Sequence, residues 1–176
     1  MALSKDWREF LELLNSRGVD YVIVGAQSLA FHGRPRHTGD LDILVRPTPD
    51  NAHLLLALLN QFGFEQSGFK ESDFLKPEQI IQLGRAPSRI DLLTSITGVS
   101  TDEAFAGKIS AILDGIPVFI LGKDALIRNK RAVGGHRISW ISPHSRTVAT
   151  VSLSYRVTFV RTNAAFSASV PQPELR

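Results

Sequence analysis

The chain has 176 residues, 43% of them hydrophobic, a formal net charge of +3 and no cysteine. That size and composition suit one domain with a proper core, while the missing cysteines exclude a disulfide framework and a thiolate metal site; any metal is then a hard ion held by oxygen or imidazole. A sequence pI near 9.5 permits a polyanionic partner without demanding one, and no apolar stretch approaches the roughly 20 residues of a bilayer span, so with no signal-peptide core at the N-terminus the expectation is a cytoplasmic protein with no membrane partner.

Trp7, Phe10, Leu11 and Leu14 recur at helical spacing ahead of Gly18, which predicts an amphipathic helix over residues 5–17. Residues 21–24 read as a short buried strand. Residues 27–32 read as a second helix, closed by Gly33 and the stiff Arg34-Pro35-Arg36 turn. The strand Asp40–Val45 follows. Thr48-Pro49 is a strong helix start, with Thr48 as cap and proline at the first helical position, and the helix continues to Gly63. Ile80–Leu83, Arg89–Leu93 and residues 116–121 read as strands, residues 102–106 as a short helix and residues 123–131 as a basic one. This alternation predicts an α/β or α+β domain, a small mixed β-sheet flanked by helices, over residues 1–133. Residues 134–176 differ in character, rich in Ser, Thr, Arg and Val, without helical period apart from one candidate strand at 155–161.

In Thr38-Gly39-Asp40-Leu41-Asp42-Ile43-Leu44-Val45, two acids interrupt an apolar strand. Strand side chains alternate, so Asp40 and Asp42 share one face while Leu41 and Ile43 share the other. Ionised acids buried there are costly unless they are paired or bind a cation. Arg89-Ile90-Asp91-Leu92 repeats the pattern with a third acid, which a neighbouring strand would bring beside the pair. Three such carboxylates can hold two magnesium ions about 4 Å apart, clamping the attacking and leaving oxygens of an in-line phosphoryl displacement. Upstream, the apolar run from Tyr21 breaks at Gly25-Ala26-Gln27-Ser28, where the backbone N–H groups and dipole of a beginning helix favour a phosphate and Ser28 adds a hydroxyl. Singly these features are ordinary: Gly25 a turn glycine, Ser28 a helix-surface hydroxyl, His32 and His37 solvent-facing turn residues, Arg34 and Arg36 solvated charges, and Arg128, Lys130 and Arg131 cations suited to a helix C-terminus. Their combination points to chemistry on a nucleotide.

Val24-Gly25-Ala26, then 13 residues, then Asp40-Leu41-Asp42, then Asp91, resembles the nucleotidyltransferase superfamily that includes polymerase beta. More narrowly, the run from His32 to Val45, Arg89-Ile90-Asp91-Leu92-Leu93-Thr94 and Leu126-Ile127-Arg128-Asn129-Lys130-Arg131-Ala132 resemble small bacterial nucleotidyltransferases related to antitoxin-paired toxins, the AbiEii-like kind. The resemblance implies that Asp40 and Asp42 ligate two Mg2+ ions, that Asp91 holds the catalytic one and helps deprotonate the acceptor hydroxyl, that Gly25, Ala26 and Ser28 cradle a triphosphate, and that Lys130 neutralises it. Attack on the α-phosphorus would transfer a nucleoside monophosphate and release pyrophosphate. The implied partners are a nucleoside triphosphate as donor, a hydroxyl on a tRNA, a protein or a small molecule as acceptor, and an antitoxin protein. Ala26 departs from the Gly or Ser usual there, and Ser28 compensates for the lost hydroxyl. Two other readings stay open: a catalytically inactive nucleotide-binding or antitoxin-binding module, and a metal-dependent phosphohydrolase, which more often supplies histidine ligands among its acids.

Relatives of this kind continue after the Asn129-Lys130-Arg131-Ala132 helix with Gly-Arg, then Asp-Leu and another Asp in a last helix. Here the chain reads Gly134-Gly135-His136-Arg137-Ile138-Ser139-Trp140-Ile141. Suitable codons for these residues, read in a shifted frame, give Arg-Ala-Pro-Asp-Leu-Val-Asp-Ile after Gly134. The expectation is a frameshift near Gly134-Gly135 that leaves residues 135–176 without a selected fold and partly disordered. Sequencing the gene checks this, and a shifted frame without that peptide would contradict it.

Overall fold

The computed structural model describes residues 3–35 and 37–134. In chain order its main elements are α1 (Lys5–Ser16), β1 (Tyr21–Ile23), α2 (Gly25–Phe31), β2 (Asp40–Val45), α3 (Pro49–Leu59), β3 (Ile80–Leu83), β4 (Arg89–Leu93), α4 (Thr101–Ala106), β5 (Ile109–Leu113), β6 (Ile116–Ile120) and α5 (Lys123–Gly134). The strands form one mixed sheet in the order β3-β4-β2-β1-β6-β5. β2 runs antiparallel to β1 and parallel to β4, and β1 runs parallel to β6. The sheet and its flanking helices match the α/β architecture expected from the sequence.

Helix α1 begins because the Ser4 hydroxyl accepts the Trp7 N–H at 3.2 Å. Its apolar stripe of Trp7, Phe10, Leu11 and Leu14 is buried on one face of the sheet, together with Leu55, Leu58 and Leu59 of α3. Tyr21, Ile23, Leu41, Ile43 and Val45 meet them there. Burying a side chain of this kind contributes about 1.5–3 kcal/mol, so this face carries most of the stability. The opposite face is thinner. Val22, Val24 and Leu44 pack there with Phe105 of α4 and Ala125 and Leu126 of α5. Alternation along β2 puts Asp40 and Asp42 on this thinner side with Leu44, beyond the cover of the apolar cluster.

Several elements differ in detail from the expectation. Thr48 stands at the N-cap of α3, but its hydroxyl makes no capping bond. The buried Asn51 ties this corner instead, its side-chain carbonyl accepting the Asp20 N–H at 2.8 Å and its amide donating to the carbonyls of Asp20 and Arg46 at 3.0 and 2.9 Å. Helix α3 stops at Leu59, and a π turn over Asn60–Phe64 carries Gly63 at φ 98°. Strand β5 is absent from the sequence reading; it is the edge strand of a hairpin with β6 whose two loop residues, Asp114 and Gly115, both have positive φ. Helix α5 continues through Gly134, and the atypical segment expected over 134–176 lies otherwise outside the described residues. No described helix is long and apolar enough to cross a membrane.

Candidate functional site

The parallel pairing of β2 with β4 aligns Asp42 with Asp91 and Asp40 with Arg89. Ile90 and Leu92 enter the main core, so Arg89 and Asp91 take the other face, the one that carries Asp40 and Asp42. Three acids and one guanidinium therefore share a small area at the starts of two adjacent strands.

Each acid has a different environment. Asp40 is part-exposed; its Oδ1 accepts from the Thr38 hydroxyl and its Oδ2 from Arg89 Nη2, the latter at 2.5 Å. Asp91 is buried and takes Arg89 side-on, with Nε donating to Oδ1 at 2.9 Å and Nη2 to Oδ2 at 3.0 Å, while the Gln82 amide reaches Oδ2 at 3.5 Å. Burial raises the Asp91 carboxyl above its usual range, against the pull of Arg89. Asp42 accepts no side-chain hydrogen bond from any described residue. Burial, Asp40 and Asp91 push its carboxyl up to about 6, opposed by the charges of Lys130 and Arg89. Asp42 is thus the acid in most need of a cation.

Gly25 explains how Asp42 can be where it is. A Cβ at position 25 would lie 1.8 Å from Asp42 Oδ2, so the carboxylate rests directly against the glycine backbone. Gly25 also has φ +61°, a conformation that L side chains rarely adopt. The Val24 N–H donates to the Asp42 carbonyl at 2.9 Å, which fixes the strand-to-helix turn against β2. In the first turn of α2 the N–H groups of Gly25, Ala26 and Gln27 have no acceptor within the helix, since its backbone bonding begins with Ser28 to Val24.

The sequence-derived residues are therefore only partly brought together. Asp40, Asp42, Asp91 and Gly25 converge, and Lys130 of α5 is near enough for its charge to act on Asp42. Ser28 does not join them through its side chain: it is fully buried, and its hydroxyl donates to the Leu121 carbonyl at 3.3 Å. His32 Nε2 meets the same carbonyl at 2.8 Å. Ala26 is also buried, so only its backbone could face a ligand. Arg36 lies outside the described residues.

The expected convergence of three carboxylates holds for strand register and face, but the space between Asp40 and Asp91 is taken by Arg89. Among the described residues no group of three or more His, Cys, Asp or Glu side chains is placed to hold a metal ion. The donors themselves suit a hard divalent cation, being carboxylates of which one, Asp42, has no side-chain donor among the described residues and carries a raised proton affinity. Sequence reasoning passed over Arg89, Gln82 and Thr38. Arg89 was within reach of the alternation rule, since it lies two residues before Asp91 and must share its face; Gln82 and Thr38 needed the strand pairing and turn geometry.

No protein-family model matches the chain, and no curated protein does. Among solved structures, a protein of Thermotoga maritima described as "a putative nucleotidyltransferase" is similar, at a TM-score of 0.46 and 18% identity over 67% of this chain and 76% of that one. What this chain does is a matter of its own residues.

Proposed function

We propose that this chain is a divalent-metal-dependent nucleotidyltransferase that passes a nucleoside monophosphate from a nucleoside triphosphate to a hydroxyl acceptor and releases pyrophosphate. The observation that carries the reading is Asp42: a carboxylate set against Gly25, opposite Asp91 in register, near Asp40, with no side-chain hydrogen-bond donor among the described residues and a carboxyl pushed up to about 6. Stability alone gives no reason to assemble three acids on one sheet face at such a cost.

Asp40, Asp42 and Asp91 would hold the metal, taken here as two Mg2+ ions, which when bound would polarise the α-phosphate and neutralise the pyrophosphate that leaves. Asp91, more buried than Asp40, would accept the proton of the attacking hydroxyl. The N–H groups at Gly25 and Ala26, which have no acceptor within the helix, would donate to phosphate oxygens, and Lys130 would supply a positive charge from α5. Ser28 has no direct part, because its hydroxyl is committed to Leu121. The acceptor, whether a tRNA end, a protein or a small hydroxylated molecule, and an antitoxin partner belong to the same proposal.

A second reading, a module that binds a nucleotide or a protein partner without turnover, is favoured by one observation: Arg89 already neutralises Asp40 and Asp91. The test incubates the protein with each nucleoside triphosphate labelled at the α-phosphate, Mg2+, and total RNA, protein or aminoglycoside acceptors, beside Asp42→Asn. Label transfer that falls at least about a hundredfold in Asp42→Asn is expected, the scale of losing one electrostatic element of a transition state. No transfer by the wild type in any mixture would favour the binding module, and transfer undiminished by Asp42→Asn would refute the metal assignment.

A further inference from the structure

Arg89 bonds the same carboxylate oxygens that a divalent cation would use. Its Nη2 joins Asp40 Oδ2 and Asp91 Oδ2 at 2.5 and 3.0 Å, and its Nε joins Asp91 Oδ1 at 2.9 Å. A guanidinium presents its donors in a planar fork that satisfies carboxylate lone pairs, and a lone pair given to N–H is not available to a metal. The two cations therefore compete for one place. We propose that Arg89 is an internal stand-in for the metal, a positioning residue that keeps Asp40 and Asp91 from repelling one another in the unloaded protein and is exchanged for the incoming ion. This rests on the metal-dependent reading given above.

Three features suit Arg89 to exchange. Its side chain remains 31% exposed, so its release needs no opening of the core. Its backbone is anchored independently, because the Trp7 indole N–H donates to the Arg89 carbonyl at 3.2 Å, so strand β4 stays in place while the guanidinium leaves. Asp42, which accepts no side-chain hydrogen bond from any described residue, gives the ion a first point of attachment before Asp40 and Asp91 are released.

The exchange is tested with Mn2+ alone, titrated into the full chain and followed by the electron paramagnetic resonance of free Mn2+, together with melting in EDTA and in Mn2+. Wild type is compared with Arg89→Gln, with Arg89→Lys in case the glutamine variant fails to fold, and with Asp42→Asn as the control for binding at this site. Arg89→Gln is expected to melt below wild type in EDTA, to bind Mn2+ about tenfold more tightly, equivalent to about 1.4 kcal/mol of competition removed, and to recover its melting temperature when Mn2+ is added. Arg89→Lys, which keeps the charge but loses the fork, is expected to lie between the two. Mn2+ affinity that is unchanged or weaker in both Arg89 variants, with binding still abolished by Asp42→Asn, would overturn the exchange and leave the metal reading intact. Binding that survives Asp42→Asn would overturn the exchange, since the ion would then sit elsewhere. Absence of Mn2+ binding in every protein would overturn both.

Discussion

Asp42 decides the local electrostatics. Its carboxyl, pushed from 3.8 to about 6 by burial and by Asp40 and Asp91, binds a proton more tightly in the folded chain than in the unfolded one. The sign follows from linkage: between about pH 4 and pH 6 the folded state holds more protons than the unfolded state, so stability falls as pH rises through that window. The full shift corresponds to about 3 kcal/mol, and partial exposure reduces it to about 2. Asp42→Asn removes the charge and keeps the shape. In EDTA it is expected to stabilise the protein by about 1–3 kcal/mol near pH 8 and by close to nothing near pH 4, measured by urea unfolding. An equal change at both pH values would show that Asp42 is not the strained acid. Arg89 and Lys130 lower the cost at this site without removing it, and under the proposed metal-dependent reading a doubly charged ion would lower it further.

Secondary-structure elements place these residues through two glycine-dependent turns of different kinds. At Gly25 the chain turns from β1 into α2 with φ +61° and with the Asp42 carboxylate where a Cβ would be. At Gly115 the hairpin of β5 and β6 turns with φ +85° and nothing nearby. Gly115→Ala is therefore expected to cost about 1 kcal/mol, the conformational term alone. Gly25→Ala should cost about 2–4 kcal/mol, because the acid must move as well. Denaturant unfolding of both variants checks the order, and an equal loss would mean that the contact between Gly25 and Asp42 is loose. The two turns also differ in legibility. Asp114-Gly115 between apolar residues is a strong hairpin signal that would have disclosed β5, but an edge strand with Ile112 68% exposed lacks the buried pattern that marks the other strands. Strand β2 was readable to its ends because acids alternate with core residues along its first half. The Arg46 and Lys108 pairs with Asp20, at 2.6 and 2.7 Å, secure the opposite end of β1, and they depend on residues too far apart in sequence to be foreseen.

At the scale of the whole molecule, the sheet is a device for bringing together strands that are distant in sequence. Residues 42 and 91 meet because β2 and β4 are parallel neighbours, and Gly25 meets Asp42 because β1 pairs on the other side of β2. Alternation alone predicted which face each acid takes; the strand order that makes the three acids neighbours came only with the fold. Ser28 shows the limit of local reading, since its position near a glycine turn gave no sign that α2 would rotate its hydroxyl toward Leu121. Arg89 shows the converse, a cation legible two residues from Asp91 yet without evident purpose until Asp40 was found across the ladder. The central claim is transfer of a nucleotidyl group at this acid face, and the label-transfer assay tests it most directly when run in parallel with label on the α-phosphate and on the γ-phosphate. Nucleotidyl transfer predicts that the α-label joins the acceptor while the γ-label leaves as pyrophosphate, both only with a divalent metal and both at least about a hundredfold slower in Asp42→Asn. Release of γ-label as inorganic phosphate with no α-label on any acceptor would contradict it.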